Sequence, residues 1–241
     1  MQTRSVRYRK QAELAGPRVQ PHPLDEAIST VNAMAGIRSD RAYKNGRKRK
    51  ENDQTVEICV FLGIDTKQAD QMVRGSLSLP KGIGSTKKVI AFVDGDLAAA
   101  ALAAGAIEAG ADELVQKIQG GWMDFDVAIA HPSMMGKVGK LGRVLGPQGK
   151  MPSPKSGTVT PDVVTAVKEY AAGRLEFRSD KGGNVHLPVG KVSFPVEDLK
   201  ANIEAVITHI QRVKPLTAKG QYLRHVYIKA ARTPSVRLAV G

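Results

Sequence analysis

The sequence predicts an α/β region in the middle of the chain, flanked on both sides by segments of an α+β fold. In the middle, the fully apolar stretches at residues 89–93 and 127–130 alternate with helix-like stretches, a pattern typical of a parallel sheet covered by helices on both faces. In the flanking segments, strand-like stretches accompany amphipathic helices near residues 25–34 and 199–213. Strands with helices on one face predict an α+β domain.

The N-terminal part of the chain is rich in cations. Residues 1–23 are basic and contain prolines at positions 17, 21 and 23, so we expect a loosely attached arm with at most a short helix. Residues 38–50 hold seven lysines or arginines and one acid; such a run forms either a solvated, flexible loop or a phosphate-binding segment, and the density of cations favours phosphate contact. Between these segments, Asp25 caps a helix whose apolar face comprises Ala27, Ile28, Val31 and Met34.

From Thr55 onwards the pattern predicts a series of strands and helices. Residues 55–62 alternate apolar and polar side chains as in a strand, and Cys59 within it is expected to be a small buried hydrophobe. The following stretches are predicted, in order, to be strand 89–93, a helix from Asp96 to about Ala104, a short strand 106–109, helix 111–119, strand 127–130 and a helix opened by Pro132.

The stretch from Lys140 to Thr158 differs most from ordinary core or linker sequence. Because proline fixes φ and glycine allows positive φ, its glycines and prolines exclude helix and strand, and we expect a shaped loop that presents its cations outward. A solvated linker is the alternative. The apolar residues Leu141, Val144, Leu145 and Met151 favour an ordered loop that faces an anion such as phosphate. The cations, which have no acid among them, are Lys140, Arg143, Lys150 and Lys155.

The pattern changes again after the central stretch. Residues 174–178 and 185–189 bracket Asp180-Lys-Gly-Gly-Asn, which predicts a β-hairpin. Before it, Val163, Val164, Val167 and Tyr170 mark one face of a helix that ends at Gly173. After it comes an amphipathic helix, and then a final strand or strand pair at residues 222–238. One face of this helix carries Leu199, Ile203, Val206, Ile207, Ile210 and Val213.

Composition and charge restrict the partners. The 241 residues are 42% hydrophobic, enough for real cores in one large or two ordinary domains. The formal net charge of +13 indicates a polyanionic partner, either nucleic acid or an acidic membrane surface. An aromatic content of 5% weighs against base stacking and favours reading of backbone and shape in a folded RNA. No stretch is long and apolar enough to cross a membrane, and no apolar stretch follows the basic start, so we expect a cytosolic, soluble protein. A membrane is not among the expected partners.

Several short motifs are typical of enzymes, but none has the required spacing. Glycines 136, 139 and 142 do not form G-x-G-x-x-G, and residues 81–87 do not form a P-loop. Residues 136–139 fit the GXXG loop of KH modules, although so short a match arises easily by chance. The five histidines lack metal spacing, and a single cysteine supplies no zinc cluster. We therefore expect no catalytic residue, no metal and no cofactor.

At the central stretch the sequence resembles a known family. Residues 142–155, Gly-Arg-Val-Leu-Gly-Pro-Gln-Gly-Lys-Met-Pro-Ser-Pro-Lys, closely resemble the signature of the bacterial-type large-subunit ribosomal L-one stalk proteins. A run of matches in one order is far more specific than a single motif. The run extends from about Asp25 to Arg237 and includes residues 73–84, 125–135, 176–181, 189–194 and 214–220.

The resemblance implies how the regions join and what they do. Residues 1–80 and 173–241 would form a discontinuous α+β RNA-binding domain, into which residues 81–172 are inserted as an α/β, Rossmann-like domain. We expect a non-enzymatic, structural constituent of the large subunit of the cytoplasmic ribosome. It would bind the mobile ribosomal RNA side stalk near the exit site, aid release of deacylated exit-site tRNA, contact other ribosomal components and repress translation of its own mRNA. The alternative is a nucleotide-dependent enzyme using the α/β domain.

The resemblance also implies the RNA-binding residues. In the terminal-ends domain the matching positions are Thr55, Glu57, Arg178, Asp180, Lys181, His186, Ser235 and Arg237, and in the loop of the inserted domain they are Lys140, Arg143 and Lys155.

The chain departs from the family pattern at two places near these residues. Residues 229–234 read Lys-Ala-Ala-Arg-Thr-Pro where the family has small hydroxyl residues followed by Met-Gly-Pro, and Asn52 replaces a common aromatic residue. Fewer hydroxyl donors predict weaker shape-specific contact. Arg232 and the run at 38–50, which is longer than in the family and resembles an insertion, are expected to supply phosphate contacts instead.

Overall fold

The computed structural model describes residues 5–17, 19–37 and 53–239, so the basic run at 38–50 and Asn52 lie outside the described residues. In chain order the strands are β1 (Pro21–His22), β2 (Thr55–Leu62), β3 (Arg74–Leu77), β4 (Val89–Phe92), β5 (Glu108–Gly110), β6 (Val127–Ala130), β7 (Leu175–Arg178), β8 (Asn184–Lys191), β9 (Leu223–Ala230) and β10 (Val236–Leu238). The helices are α1 (Val6–Ala15), α2 (Leu24–Gly36), α3 (Asp96–Ala103), α4 (Asp112–Gln119), α5 (Met135–Val138), α6 (Gly142–Leu145), α7 (Val163–Ala171) and α8 (Val196–Arg212).

The chain divides into two compact units. The first comprises Met1–Val73, Leu79–Ile83 and Arg178–Gly241, and the second comprises Arg74–Ser78 and Gly84–Phe177. Compared with the boundaries expected at residues 80 and 172, the second unit also contains β3 and most of β7. These two strands pair with each other, and Arg174 donates to the Ser76 hydroxyl at 2.7 and 3.0 Å, which ties both strands to one unit.

The first unit is built on a five-stranded sheet with the order β1-β10-β9-β2-β8. Strand β1 runs parallel to β10, and the other neighbours are antiparallel. Helices α2 and α8 pack against the sheet and against each other, because each turns an apolar stripe towards it. The core between them is aliphatic, with Ile28, Val31, Met34, Ile58, Val60, Leu199, Ile203, Val206, Ile210, Val226 and Ile228 all buried.

The predicted strand at residues 55–62 is confirmed as β2, and its two faces differ as the sequence alternation requires. Val56, Ile58, Val60 and Leu62 are buried, while the residues between them are half-buried. Strand β2 pairs with β8 on one side and β9 on the other, so both of its edges are hydrogen-bonded within the sheet.

The N-terminal segment is attached more firmly than the sequence predicts. Helix α1 packs against α2, and the Gln11 side chain is 1% exposed and donates to the carbonyl of Met34 at 2.8 Å. A polar side chain buried with its hydrogen bond satisfied holds the helix in one place. The expectation of a loose attachment is therefore wrong for residues 5–17, in which the short helix that was allowed for is α1.

The second unit contains the predicted parallel sheet, with the order β5-β4-β6. Strand β4 is buried on both faces, since Ile90 and Phe92 pack towards α4, α5 and α6 while Val89 and Ala91 pack towards α3 and α7. A strand covered on both faces requires apolar residues at every position, which explains why residues 89–93 show no alternation. The predicted helices at Asp96 and 111–119 and the strand at 127–130 are confirmed.

The predicted hairpin around residues 180–184 is wrong in its pairing. The turn exists, because the Asp180 amide donates to the carbonyl of Asn184 at 2.8 Å. However, β7 pairs with β3 and β8 pairs with β2. The sequence of a turn determines only the local reversal of the chain. Here the strand before the turn and the strand after it belong to different sheets.

A buried asparagine on α8, which the apolar pattern of that helix conceals, connects three chain segments of the first unit. Asn202 is 0% exposed. Its Nδ2 donates to the carbonyls of Val189 at 2.7 Å and Gly82 at 3.0 Å, and its Oδ1 accepts from the Lys81 amide at 3.1 Å. One side chain therefore satisfies three backbone groups.

We predict that Asn202→Leu lowers the free energy of unfolding by about 2–4 kcal/mol, because the new side chain leaves these backbone groups without their partner. Urea unfolding followed by circular dichroism measures the change. The control is Thr208→Val, an exposed position on the same helix; equal losses in the two variants would contradict the role of Asn202.

Candidate nucleic-acid interface

The candidate site lies on the face of the five-stranded sheet that α2 and α8 leave uncovered, here termed the outer face. Strand β2 contributes Thr55, Glu57, Cys59 and Phe61, which are half-buried. The register defines three neighbouring rows of side chains across the strands: Lys229, Glu57 and Pro188; then Arg237, Tyr227, Cys59 and His186; then His225, Phe61 and Asn184.

Two of the predicted residues, Thr55 and Glu57, already have lysine partners. Lys191 Nζ donates to Thr55 Oγ1 at 2.8 Å, and Lys229 Nζ lies 3.0 Å from Glu57 Oε2. Both members of the Glu57–Lys229 pair are about 40% exposed. An ammonium group has three donors, so each lysine can contact its protein partner and a phosphate oxygen at once.

Asp180 organises the turn at the end of the outer face. Its Oδ1 accepts from the amides of Gly182 and Asn184, both at 2.8 Å, and Oδ2 lies 3.7 Å from His186 Nε2. The hydrogen bond from the Asn184 amide is the main cause that lowers the pKa of Asp180 below its ordinary value. The carboxylate thus fixes the backbone of the turn that carries Lys181, whose side chain is exposed.

Arg237 lies at the other side of the outer face. Its guanidinium donates to the carbonyl of Val19 at 3.1 Å and to His225 Nδ1 at 3.0 Å. Ser235, two residues earlier, and Arg237 are both half-buried. Because side chains two residues apart in extended backbone point to the same side, both lie on the same face. Arg178, at the end of β7, is exposed.

The three remaining predicted residues, Lys140, Arg143 and Lys155, belong to the second unit. The central stretch there is partly helical, which corrects the prediction that it contains neither helix nor strand. A 3-10 turn spans Gly139–Leu141, α6 spans Gly142–Leu145, and a second 3-10 turn spans Pro154–Ser156. The helical start forms because its first proline is Pro147 and because Leu141 and Leu145, four residues apart, are fully buried.

The cations of the central stretch do not all face outward. Lys140 and Arg143 are exposed. Lys150 instead turns inward, where its Nζ donates to the carbonyls of Met123 at 3.2 Å and Phe125 at 2.5 Å. Its role is to bind the loop to the body of the second unit, and the expectation of an outward cation is wrong at this position.

Cys59 is not the buried hydrophobe that the sequence predicts. It is half-buried on the outer face, between His186 and Tyr227 in the register. Desolvation, followed by the charge of Asp180, raises its pKa, which keeps it a thiol. The prediction is wrong because the run 56–61 is apolar enough to conceal which alternate residues face away from the helices.

The outer face also carries aromatic residues that the sequence did not predict as functional, namely Phe61, His225 and Tyr227. They are half-buried and adjacent across β2 and β9. The signal that could have identified Phe61 is its place in the alternation of the strand, two residues after Cys59 and four residues after Glu57. Among the described residues there is no group of histidines, cysteines and acids able to hold a metal ion. No helix in the same residues is long and apolar enough to span a membrane.

Comparison with known proteins gives consistent matches over both units. The model of the Ribosomal protein L1p/L10e family matches residues 42–234. The large ribosomal subunit protein uL1 of Mycobacteroides abscessus is 52% identical over 192 residues, which cover 80% of this chain and 82% of that protein. The large ribosomal subunit protein uL1 of Cutibacterium acnes is 46% identical over 235 residues, which cover 98% of this chain and 95% of that protein.

We predict that Asp180→Asn lowers stability at pH 7 and has no effect in acid. A carboxyl whose pKa is lowered in the folded state contributes stability above its unfolded pKa of about 3.9, and this contribution is lost as pH falls through the lower folded value. The asparagine amide oxygen can still accept both turn amides but carries no charge. The expected difference at pH 7 is at most about 1 kcal/mol, since the group is exposed.

Thermal unfolding of both proteins between pH 7 and about pH 2 measures this difference. The melting curves should converge at the acidic end. A constant difference over the whole range would mean that the charge of Asp180 contributes nothing to the turn.

Proposed function

Because the chain belongs to the Ribosomal protein L1p/L10e family, we propose that it binds the mobile side stalk of large-subunit ribosomal RNA near the exit site. Membership makes the chain a structural constituent of the large subunit in the bacterial cytoplasmic ribosome, and not an enzyme. The alternative of a nucleotide-dependent enzyme is therefore abandoned.

The observation that carries the proposal is the common location of the predicted residues. Thr55, Glu57, His186 and Arg237 lie in adjoining rows of one face, although 182 residues separate the first from the last. Lys191 and Lys229 stand beside them. Fixed cations and hydrogen-bonding groups on a firm sheet suit phosphate and sugar contacts on a folded RNA, where backbone contacts set position and shape gives selectivity.

We extend the proposal to the ribosome's other RNA ligands. The chain would aid release of deacylated exit-site tRNA, with Lys140, Arg143 and Lys155 of the second unit as cationic contacts. It would also repress its own mRNA, because an mRNA segment that folds like the stalk would offer the same phosphate pattern to the outer face. Both activities are suggested by family membership, and the exposure of Lys140 and Arg143 is compatible with the first.

We further propose that the two terminal segments form the RNA-binding domain and that the second unit is an insertion within it. Each unit has its own sheet and its own buried core, which is what independent folding requires. The residues proposed to bind the stalk belong to the first unit, since Arg178 opens its last segment.

We predict that the double variant Arg178→Gln and Lys181→Gln binds stalk RNA about fivefold to tenfold more weakly at moderate salt. Loss of two phosphate contacts should also reduce the slope of log affinity against log salt by about 1.5. The matched control, Arg212→Gln with Lys219→Gln, removes two exposed cations of the same unit that belong neither to the sheet nor to the turn at Asp180. Filter binding at several salt concentrations makes the measurement, and equal losses in both double variants would contradict the assigned RNA site.

We predict that a chain in which residues 84–172 are replaced by a flexible linker still folds and keeps most of its affinity for stalk RNA. The replacement retains β3 and β7, which pair with each other. Circular dichroism and filter binding test the two parts of the prediction. If the shortened chain folds but fails to bind, while the isolated second unit binds, the RNA face has been assigned to the wrong unit.

A further inference from the structure

We propose that Phe61, His225 and Tyr227 form a base-stacking site on the outer face, which takes an unpaired base of the bound RNA. The inference rests on the proposed RNA-binding function and deepens it, because it adds contact with a base to contacts with the backbone. It also reverses the expectation, drawn from the low aromatic content, that stacking plays no part.

The three rings form one continuous aromatic surface. The rings of Phe61 and His225 are stacked, with centroids 6.0 Å apart and an interplanar angle of 20°. The rings of His225 and Tyr227 meet edge to face at 6.3 Å and 64°. Phe61 and His225 are direct partners across β2 and β9, and Tyr227 is the next residue of β9 on the same face. Strand pairing thus holds the rings in place before any ligand arrives.

These rings are not needed for the core of their unit. Its buried side chains around α2 and α8 are mainly aliphatic, while Phe61, His225 and Tyr227 remain partly exposed on the opposite side of the sheet. Large rings gain most from burial, so three of them clustered at a half-exposed site on a polar face indicate a surface that a ligand covers.

The surroundings identify the ligand as a nucleotide base. The Arg224 guanidinium carbon lies 5.6 Å from the Phe61 ring centre, Arg237 donates to His225, and Lys229 is in the row beyond Tyr227. Rings supply stacking surfaces and the cations supply phosphate contacts, which is the combination that binds unpaired nucleotides. Bases inside an A-form duplex are stacked on each other, so the site requires a bulged, looped or terminal nucleotide.

The contact with Arg237 also orients the His225 ring. A guanidinium group can only donate, so His225 Nδ1 is the acceptor of this hydrogen bond. A ring oriented by this hydrogen bond presents a constant face and edge to the neighbouring rings. Arg237 therefore acts as a positioning residue for the aromatic surface as well as a candidate phosphate contact.

The test compares two probes of equal charge, an octamer of riboadenylate and an octamer of the same ribose-phosphate backbone without bases. With the full-length protein, fluorescence anisotropy should give about tenfold tighter binding of riboadenylate. The double variant Phe61→Leu and Tyr227→Leu should bind both probes equally, at the affinity of the wild type for the abasic probe. Tyr227→Phe, which keeps the ring, should retain the preference for bases.

The matched control is Phe194→Leu, because Phe194 is in the same unit but packs beside Gly190 and α8; it should bind the probes as the wild type does. Equal wild-type affinity for the two probes overturns the stacking site, and this comparison does not depend on whether a variant folds. If that result accompanies tight binding of stalk RNA, the proposed function survives without the stacking site. If the wild type also fails to bind stalk RNA, the proposed function itself is wrong.

Discussion

The structure of the first unit depends on the pairing of β2 with a strand on each side. Because side chains alternate between the faces of a sheet, the register that buries Ile58 and Val60 against the helices also places Glu57 and Cys59 on the outer face. A slip of one residue would exchange the two sets. The same strand register therefore determines both the core and the candidate interface. A mutation that shifts this register would also separate the side chains of the interface.

A glycine on β8 allows this sheet to meet α8 closely. At Gly190 φ is 154°, and a Cβ atom there would lie 2.8 Å from Leu199 Cδ2 and 3.0 Å from Phe194 Cδ2. The β2–β8 register shifts at the neighbouring pair, between Val56 and Glu57. Any larger residue would require the side chains of Leu199 on α8 and of Phe194 to shift, beside the row that holds Glu57 and Lys229. Close packing between β8 and α8 thereby limits where the backbone of β8 can lie, and with it the positions of the neighbouring side chains on the outer face.

Local patterns predicted most elements but not their partners. The alternation at 55–62 and the apolar run at 127–130 identified strands at their observed bounds, since each pattern reflects burial at that strand alone. The turn at Asp180 was also predicted, but its strands join different sheets, a choice made by residues distant in sequence. At 142–145, buried leucines override the glycines that suggested a loop. The family resemblance supplied site positions, yet nothing in it indicated the lysine partners or the aromatic cluster.

The ion pair between Glu57 and Lys229 illustrates what such partners contribute. An exposed pair of this kind adds little to stability, about 0–1 kcal/mol, so stability does not explain its place on the outer face. A lysine held at 3.0 Å from a carboxylate has already lost part of its side-chain conformational entropy. Less entropy is then lost when the lysine binds a phosphate. Glu57 is an acid on a face proposed to bind a polyanion, and we interpret its role as orienting Lys229 for contact with phosphate. Thr55 holds a second lysine in the same way, because its hydroxyl accepts a hydrogen bond from Lys191.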